Sequence, residues 1–289
     1  MKKAKKHYEN LIIYIIIVLT LLIVFGVVLE QNLLMLITLI ISIFFGILNI
    51  DNLIVIDKKK YTRNFLEEAL NKLFKNVQYI PNKYIDLDKI NSANMVNSFN
   101  KKVAGKNYIS AEYKGIKFIQ SDIHLYNEKQ YTVSTPTATA TNQNIITHFK
   151  GTWLIFNLKH HTKQELYIID NKFKYELELY NRPGYKKDIK SKSKDFNYQY
   201  KIITNNKNNK NLLTTKLINT IIKLNKELKD GSIMIGLIDN KLHIAIETNK
   251  ETFLDKYQSG TSETKQEEYK YFLRKYKLIT TIVDILNKK

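Results

Sequence analysis

YISAEYKGIKFIQSDIHLY, residues 108–126, decides how this chain folds. Tyr108–Tyr113 and Ile116–Tyr126 are extended runs rich in aromatic and β-branched residues, and only Lys114-Gly115 separates them. Two strands joined by two residues, the second a glycine, form a hairpin, and hairpins build antiparallel sheets. The signal recurs downstream, where Ser232–Ile238 and Lys241–Glu247 flank Asp239-Asn240, two residues that tolerate φ > 0. Between the hairpins lies the strongest strand, Ile145–Leu158. Its first half alternates, with Phe149 opposed to His148 and Lys150. Its second half is apolar on both faces, Trp153 and Ile155 alternating with Leu154 and Phe156, which predicts a central strand.

Working outward, Val77–Ile80 reads as a short strand stopped by Pro81, and Leu166–Asp170, Phe173–Tyr180 and Phe196–Ile203 read as further strands. Helical spacing of apolar residues predicts Tyr61–Asn76, Leu212–Leu228 and about Thr264–Asn287 as amphipathic helices, with a short helix inside Ile85–Phe99. TVSTPTATATNQN, residues 132–144, is small, polar and low in complexity and reads as a flexible loop. The basic run 181–195 and the polar run 204–210 read as loops as well. Helices at the ends, hairpins between them and no βαβ alternation predict an α+β fold of antiparallel sheet with flanking helices. Residues 57–289 are expected to form this domain, as one body or as two lobes split near 181–211.

Ahead of it stand two uncharged apolar runs, Leu11–Leu29 and Leu33–Ile50, separated only by Glu30, Gln31 and Asn32. Each approaches the length needed to cross ~30 Å of hydrocarbon, and in lipid the backbone must bond to itself as a helix. Residues 1–56 are therefore expected to be a transmembrane helical hairpin. A cleaved signal peptide fits less well: the run is too long, and no small-residue cleavage pattern follows it. Lys2, Lys3, Lys5 and Lys6 precede the first run, Lys58, Lys59, Lys60 and Arg63 follow the second, and the connection has no cation. The positive-inside bias then predicts both termini in the cytoplasm and the protein integral to the membrane.

The 289-residue chain carries a net charge of +19, of which residues 1–56 hold +1 and residues 57–289 hold +18. Such charge draws a domain toward an anionic leaflet, so Lys58, Lys59, Lys60 and Arg63 are the candidate lipid contacts. Nucleic acid is the other polyanion to consider. However, lysine outnumbers arginine 43 to 3, and recognition of bases favours the arginine fork. Abundant Lys, Asn, Ile and Tyr with scarce Gly and Pro is also the profile of a coding sequence rich in A and T.

The absence of cysteine excludes thiol catalysis, disulfides and thiolate metal sites. His160-His161, with Glu165 and Asp170 downstream, is the most metal-like cluster, yet adjacent strand residues point to opposite faces. Asp122-x-His124 and Asp86-x-Asp88 would each share a face if extended, and both are expected at the ends of elements. No motif for phosphate cradling, zinc proteolysis or a nucleophile elbow occurs. The residues thus assign no catalytic group, cofactor or metal.

Thr147-His148-Phe149-Lys150-Gly151-Thr152-Trp153-Leu154-Ile155-Phe156-Asn157 resembles the F-K-G-aromatic strand of a bacterial family, the domain of unknown function 3137 family. Gly105-Lys106-Asn107-Tyr108 before Tyr113-Lys114-Gly115-Ile116 resembles its G-x-D-Y…Y-x-G hairpin, and Ser121-Asp122-Ile123 a strand end of the same family. Phe196-Asn197 through Ile202, the helix Leu212–Leu228 and Leu242-His243-Ile244-Ala245-Ile246 follow in the family's order. Asn107 stands where the family has an acid, Trp153 where it has a phenylalanine-like residue, and the 181–195 loop departs from it. The resemblance implies a two-span membrane attachment and a cytoplasmic α+β domain, and supplies no functional residues. The expected function is non-enzymatic binding of a partner protein at the inner face of the membrane. Binding of anionic lipid headgroups and a membrane-bound hydrolase are the alternatives.

Overall fold

In the computed structural model the chain divides into two units, Met1–Phe65 and Leu66–Lys289. The structure describes residues 67–96, 101–135, 138–159, 165–173, 183–185, 189–228, 231–248 and 262–287, with isolated positions between 17 and 42. Both predicted spans lie largely outside these residues, as do the strand reading of 174–180 and the cations at 58–63. Among the described residues no helix is long and apolar enough to cross a membrane.

The second unit is built on one antiparallel sheet of eight strands: β1 (Lys75–Ile80), β2 (Lys102–Tyr113), β3 (Ile116–Thr135), β4 (Ala138–Asn157), β5 (Leu166–Asp170), β6 (Tyr200–Thr204), β7 (Ser232–Ile238) and β8 (Lys241–Glu247). Their spatial order is β1-β2-β3-β4-β8-β7-β5-β6. Among the described residues the sheet is accompanied by α1 (Leu87–Asn91), α2 (Lys194–Gln199), α3 (Thr215–Leu228) and α4 (Ser262–Leu286), by a 3-10 helix over Lys207–Leu212 in the run expected as a loop, and by helical residues 67–71. The α+β expectation therefore holds, and both hairpins form at the predicted turns. Lys114 and Gly115 take φ 50° and 79°, and Asp239 and Asn240 take φ 44° and 66°, the left-handed backbone that a two-residue hairpin turn requires.

Three local readings are corrected. Residues 132–144 are not a loop: β3 runs to Thr135, β4 starts at Ala138, and the pairing continues to Thr135↔Ala138. Alternating Thr, Val and Ala suit a pleated ribbon, so low complexity here marks strand rather than loop. The helix expected to reach Asn76 is helical at residues 67–71 and gives way to β1 from Lys75. The Phe196–Ile203 strand is half helix. Ser193 caps α2 by accepting from the Phe196 amide at 3.3 Å, and β6 begins only at Tyr200.

Side-chain alternation gives the sheet two buried faces. One carries Trp153, Phe149, Tyr167, Met234 and Ala245 and is covered by the 85–96 segment, including Ile85, Ile90, Met95 and Val96. The other carries Phe118, Leu154, Phe156, Ile244 and Ile246 and is covered by α3 and α4, which pack against each other. α3 buries Leu217, Ile218, Ile221 and Leu224, a stripe at helical spacing, and Thr214 caps its first turn through the Leu217 amide at 3.2 Å. Phe74, Phe118 and Tyr276 pack edge to face at 4.8 and 5.4 Å, anchoring α4 to the sheet. Polar locks fix the helices. The Asn225 amide donates to Asp170 Oδ2 at 2.6 Å and to Tyr200 Oη at 2.8 Å, and Tyr276 donates to Gln120 at 2.6 Å. At the end of α4, Asp284 accepts from Lys114 at 2.8 Å and from Tyr113 at 3.0 Å.

β4 and β8 approach closely at Gly151. A Cβ there would stand 2.0 Å from the Ile246 carbonyl oxygen and 2.9 Å from Glu247 Cα, both backbone atoms that cannot step aside. Gly151→Ala is expected to cost about 2–3 kcal/mol, the scale of overpacking a core. This is read as a lower urea midpoint for the full chain in detergent micelles. An unchanged midpoint would mean that the two strands can separate without loss.

Candidate functional site

The helix-bearing face changes character along its strands. Under α4 it presents Phe118 and Gln120 on β3, with Phe156 and Leu154 opposite them on β4. One pleat further it turns polar. Lys106 pairs with Asp122, which pairs with Thr152; in the next in-face row, Ala104 pairs with His124, which pairs with Lys150. These two rows, with Gly105, Gly151 and Thr248, line a cavity of about 200 Å³.

Asp122 is the fixed point. Its carboxylate is buried, 9% exposed, and accepts from Asn107 Nδ2 at 2.7 Å and from Thr152 Oγ1 at 3.0 Å. Asn107 is held in turn by Tyr79, whose hydroxyl donates to Asn107 Oδ1 at 2.7 Å. A bulge in β2 makes this possible. The register shifts between Lys106 and Ile109, Asn107 adopts φ 59°, and its amide donates to the Pro81 carbonyl at 2.7 Å. The extra residue turns the Asn107 side chain out of the ladder toward Asp122. His124 sits beside it, Nε2 at 2.9 Å from Thr147 Oγ1, and burial followed by the Lys150 charge lowers its pKa. The site therefore offers one oriented carboxylate, a neutral imidazole and two ammonium groups: binding chemistry for a molecule with both acidic and basic groups.

The structure sorts the sequence candidates. Asp122 and His124 share a face as the spacing predicts, but lie in the middle of β3 rather than at an element end. Asp86 is the exposed residue before α1, 3.5 Å from Lys89, and Asp88 is exposed in the first turn. His160 and His161 fall outside the described residues. Glu165 and Asp170 are at opposite ends of β5 and do not converge: Glu165 accepts from Tyr167 and Tyr185, and Asp170 from Asn225. Among the described residues, no three His, Asp or Glu side chains group as a metal site. Lys106, Asn107, Lys150 and Thr152 were not singled out as site residues. All four lie inside the quoted motifs, and the hairpin register would have aligned them with Asp122, but for a bulge that no local rule announces.

A second buried group stands on the opposite face. His243 Nδ1 accepts from Trp153 Nε1 at 3.3 Å, so the neutral ring carries its proton on Nε2, and that atom is buried with no hydrogen-bond partner among the described residues. Burial, assisted by Lys241, lowers its pKa to about 3. The unfolded imidazole takes up a proton as pH falls through about 6.5, whereas the folded one resists until far lower. Stability is thus full above that pH and declines by about 1.4 kcal/mol per unit below it, down to the folded value. His243→Gln retains an acceptor for Trp153 and removes the titration. Its stability is expected to fall more gently than wild type between about pH 6.5 and pH 4 in chemical denaturation, and equal slopes would refute the assignment.

Asn107→Asp tests the Asp122 relay. Two carboxylates would then share one hydrogen-bonding site, raising the pKa of the pair's second proton. Relative to wild type, the variant is expected to lose about 1.5–3 kcal/mol near neutral pH, the worth of a hydrogen bond to a charge. The deficit should shrink as pH falls and one carboxyl gains a proton. A pH-independent deficit would show that the two side chains do not couple.

No curated protein matches the chain. Among solved structures, the crystal structure of the mycobacterial trehalose monomycolate transport factor A, TtfA, aligns over 75% of this chain and 94% of that one, with 10% sequence identity and a TM-score of 0.39. That is a distant likeness. The sequence match is more direct: over residues 147–288, from the strand that carries Lys150 and Gly151 to the end of α4, the chain resembles the family described as Protein of unknown function (DUF3137).

Proposed function

We propose that this protein is a two-span, membrane-anchored module whose α+β domain, with both termini cytoplasmic, binds a partner protein at the inner face of the membrane without catalysing a reaction. The observation that carries the binding role is the outer half of the β3–β4 hairpin. β2 leaves β3 at Tyr126, and β8 leaves β4 at Gly151. Beyond those points, among the described residues, the two strands pair with each other, from Asn127↔Ile146 to Thr135↔Ala138. A two-stranded ribbon by itself is marginally stable in water, and a backbone edge at the rim of a sheet is a template for an added strand. From Tyr131 to Thr147 it carries no charged residue, in a chain that is 25% charged, and Ile145 is 57% exposed. An uncharged arm with open edges suits capture of an extended segment of another protein.

The anchor is supported by the first unit's few described positions. Ile17 and Leu21 in one apolar run, and Ile37 and Ile41 in the other, are helical, four residues apart and about half exposed. Exposed aliphatic side chains at helical positions suit a lipid environment. The flanking lysines favour the inward orientation.

A second reading is favoured by charge: the +18 of residues 57–289 suits anionic headgroups, with Lys58, Lys59, Lys60 and Arg63 as contacts. One experiment separates the two. A photo-crosslinking residue is placed at Ile145 and, as a control, at Tyr198, which is 88% exposed on α2. In intact cells a discrete protein adduct from position 145, absent at 198 and lost when 130–143 is replaced by a two-residue turn that keeps the Lys129↔Asn144 pair and Ile145, is the expected result. Adducts that ignore the arm would end the protein-binding reading. Adducts to lipid at both positions, weakened by salt, would favour the headgroup reading.

A further inference from the structure

We infer that the cavity over Asp122 binds a small zwitterion, its ammonium group against the Asp122 carboxylate and its phosphate against the Lys106 and Lys150 ammonium groups. The inference is independent of the arm and of the membrane anchor. It rests on how charge is distributed over one short stretch of sheet. Register places Lys106 beside Asp122 in one row and Lys150 beside His124 in the next, all four on one face. A simple anion entering there meets Asp122, and a simple cation meets two lysines. A molecule carrying both charges satisfies the wall.

Asp122 is built for such a role. It is buried, and both carboxylate oxygens are oriented by donors, Asn107 on one and Thr152 on the other. Asn107 is itself fixed by Tyr79 and by its bulge. Reorientation on binding therefore costs little, which is what preorganisation means for affinity. The rest of the wall is lysine without arginine, and lysine's compact charge serves phosphate as a point contact, whereas planar carboxylate recognition draws on the arginine fork. His124, held neutral, adds no third cation and leaves a ring edge for a ligand oxygen or hydroxyl.

Size decides the scale of the ligand. The cavity of about 200 Å³ is smaller than the ~300–1,000 Å³ of drug-sized pockets. At roughly 30 Å³ per water-sized group it holds about seven such groups. That suits a phosphoethanolamine-sized molecule and excludes a nucleotide. The same chemistry can arrive free in solution or as the headgroup of a lipid.

The test uses the full chain in uncharged detergent micelles with phosphoethanolamine as the titrant in calorimetry. Saturable one-site binding is expected, with inorganic phosphate and ethanolamine each about tenfold weaker or worse, the worth of one lost charged hydrogen bond. Asp122→Asn and Lys150→Gln should each weaken phosphoethanolamine about tenfold, while Ile145→Ser should not change it. Should Asp122→Asn fail to fold, the doubly exposed pair Lys106→Gln and Lys150→Gln carries the test. Competition by nanodiscs containing phosphatidylethanolamine would identify the headgroup as the source, and absence of competition the free molecule. No saturable binding, or binding indifferent to these substitutions, would overturn the inference. Neither result would touch the crosslink expected at Ile145.

Discussion

The fold depends on one strand being buried from both sides. Thr152 through Phe156 of β4 are all buried, so each successive side chain needs a layer of its own. One layer is the 85–96 segment and the other is the α3–α4 pair. Neither would have an apolar surface to rest on if β4 were at an edge. β8 must therefore lie flush along it, and Gly151 is where the two backbones come so near that no side chain fits. At about 25 cal/mol per Å² of apolar surface removed from water, a fully buried large side chain contributes some 1.5–3 kcal/mol. Trp153, Phe149, Phe118 and Phe156 are all such side chains, and all stand on β3 or β4.

That constraint explains why the polar rows sit where they do. The same two strands that are sealed at Phe118 and Leu154 continue past the reach of Tyr276, and beyond it the face carries Asp122, Thr152, His124 and Lys150. A buried carboxylate is tolerated only with its hydrogen bonds supplied, and the β2 bulge supplies one through Asn107. The F-K-G-T-W stretch thus serves two purposes: Phe149 and Trp153 point into one layer, while Lys150 and Thr152 face the cavity on the other side. Alternation lets one short sequence build a core on one side and a polar cavity on the other.

Much of this was legible in the sequence, and the boundary is physical. Hairpins that close through two residues were readable because the turn chemistry is local, as at Lys114-Gly115 and Asp239-Asn240. The central position of β4 followed from its two apolar faces. What could not be read was the placement of the β7–β8 hairpin between β4 and β5, which follows from long-range pairing and leaves no mark on either strand. The 132–144 ribbon was mistaken for a loop because small polar residues serve both states. The start of β6 was missed because a serine cap is as short as a turn. In the site, Asp122-x-His124 was visible as a pattern. Its relay through Asn107 to Tyr79 joins three strands across an irregular register, and no spacing rule spans that.

The fastening of α4 has a practical corollary. Asp284 reaches the β2–β3 turn, and Asn287 accepts the Lys159 amide at 2.9 Å, so the helix terminates over the turn end of the hairpin. Asp122 and His124 lie some eight residues along β3 from that turn, roughly 25 Å at 3.3 Å per residue. A dye, affinity handle or fluorescent protein joined after the terminal helix would hence emerge well away from the charged cradle. Trimming back as far as Asp284, by contrast, would unfasten the helix that roofs the neighbouring apolar rows.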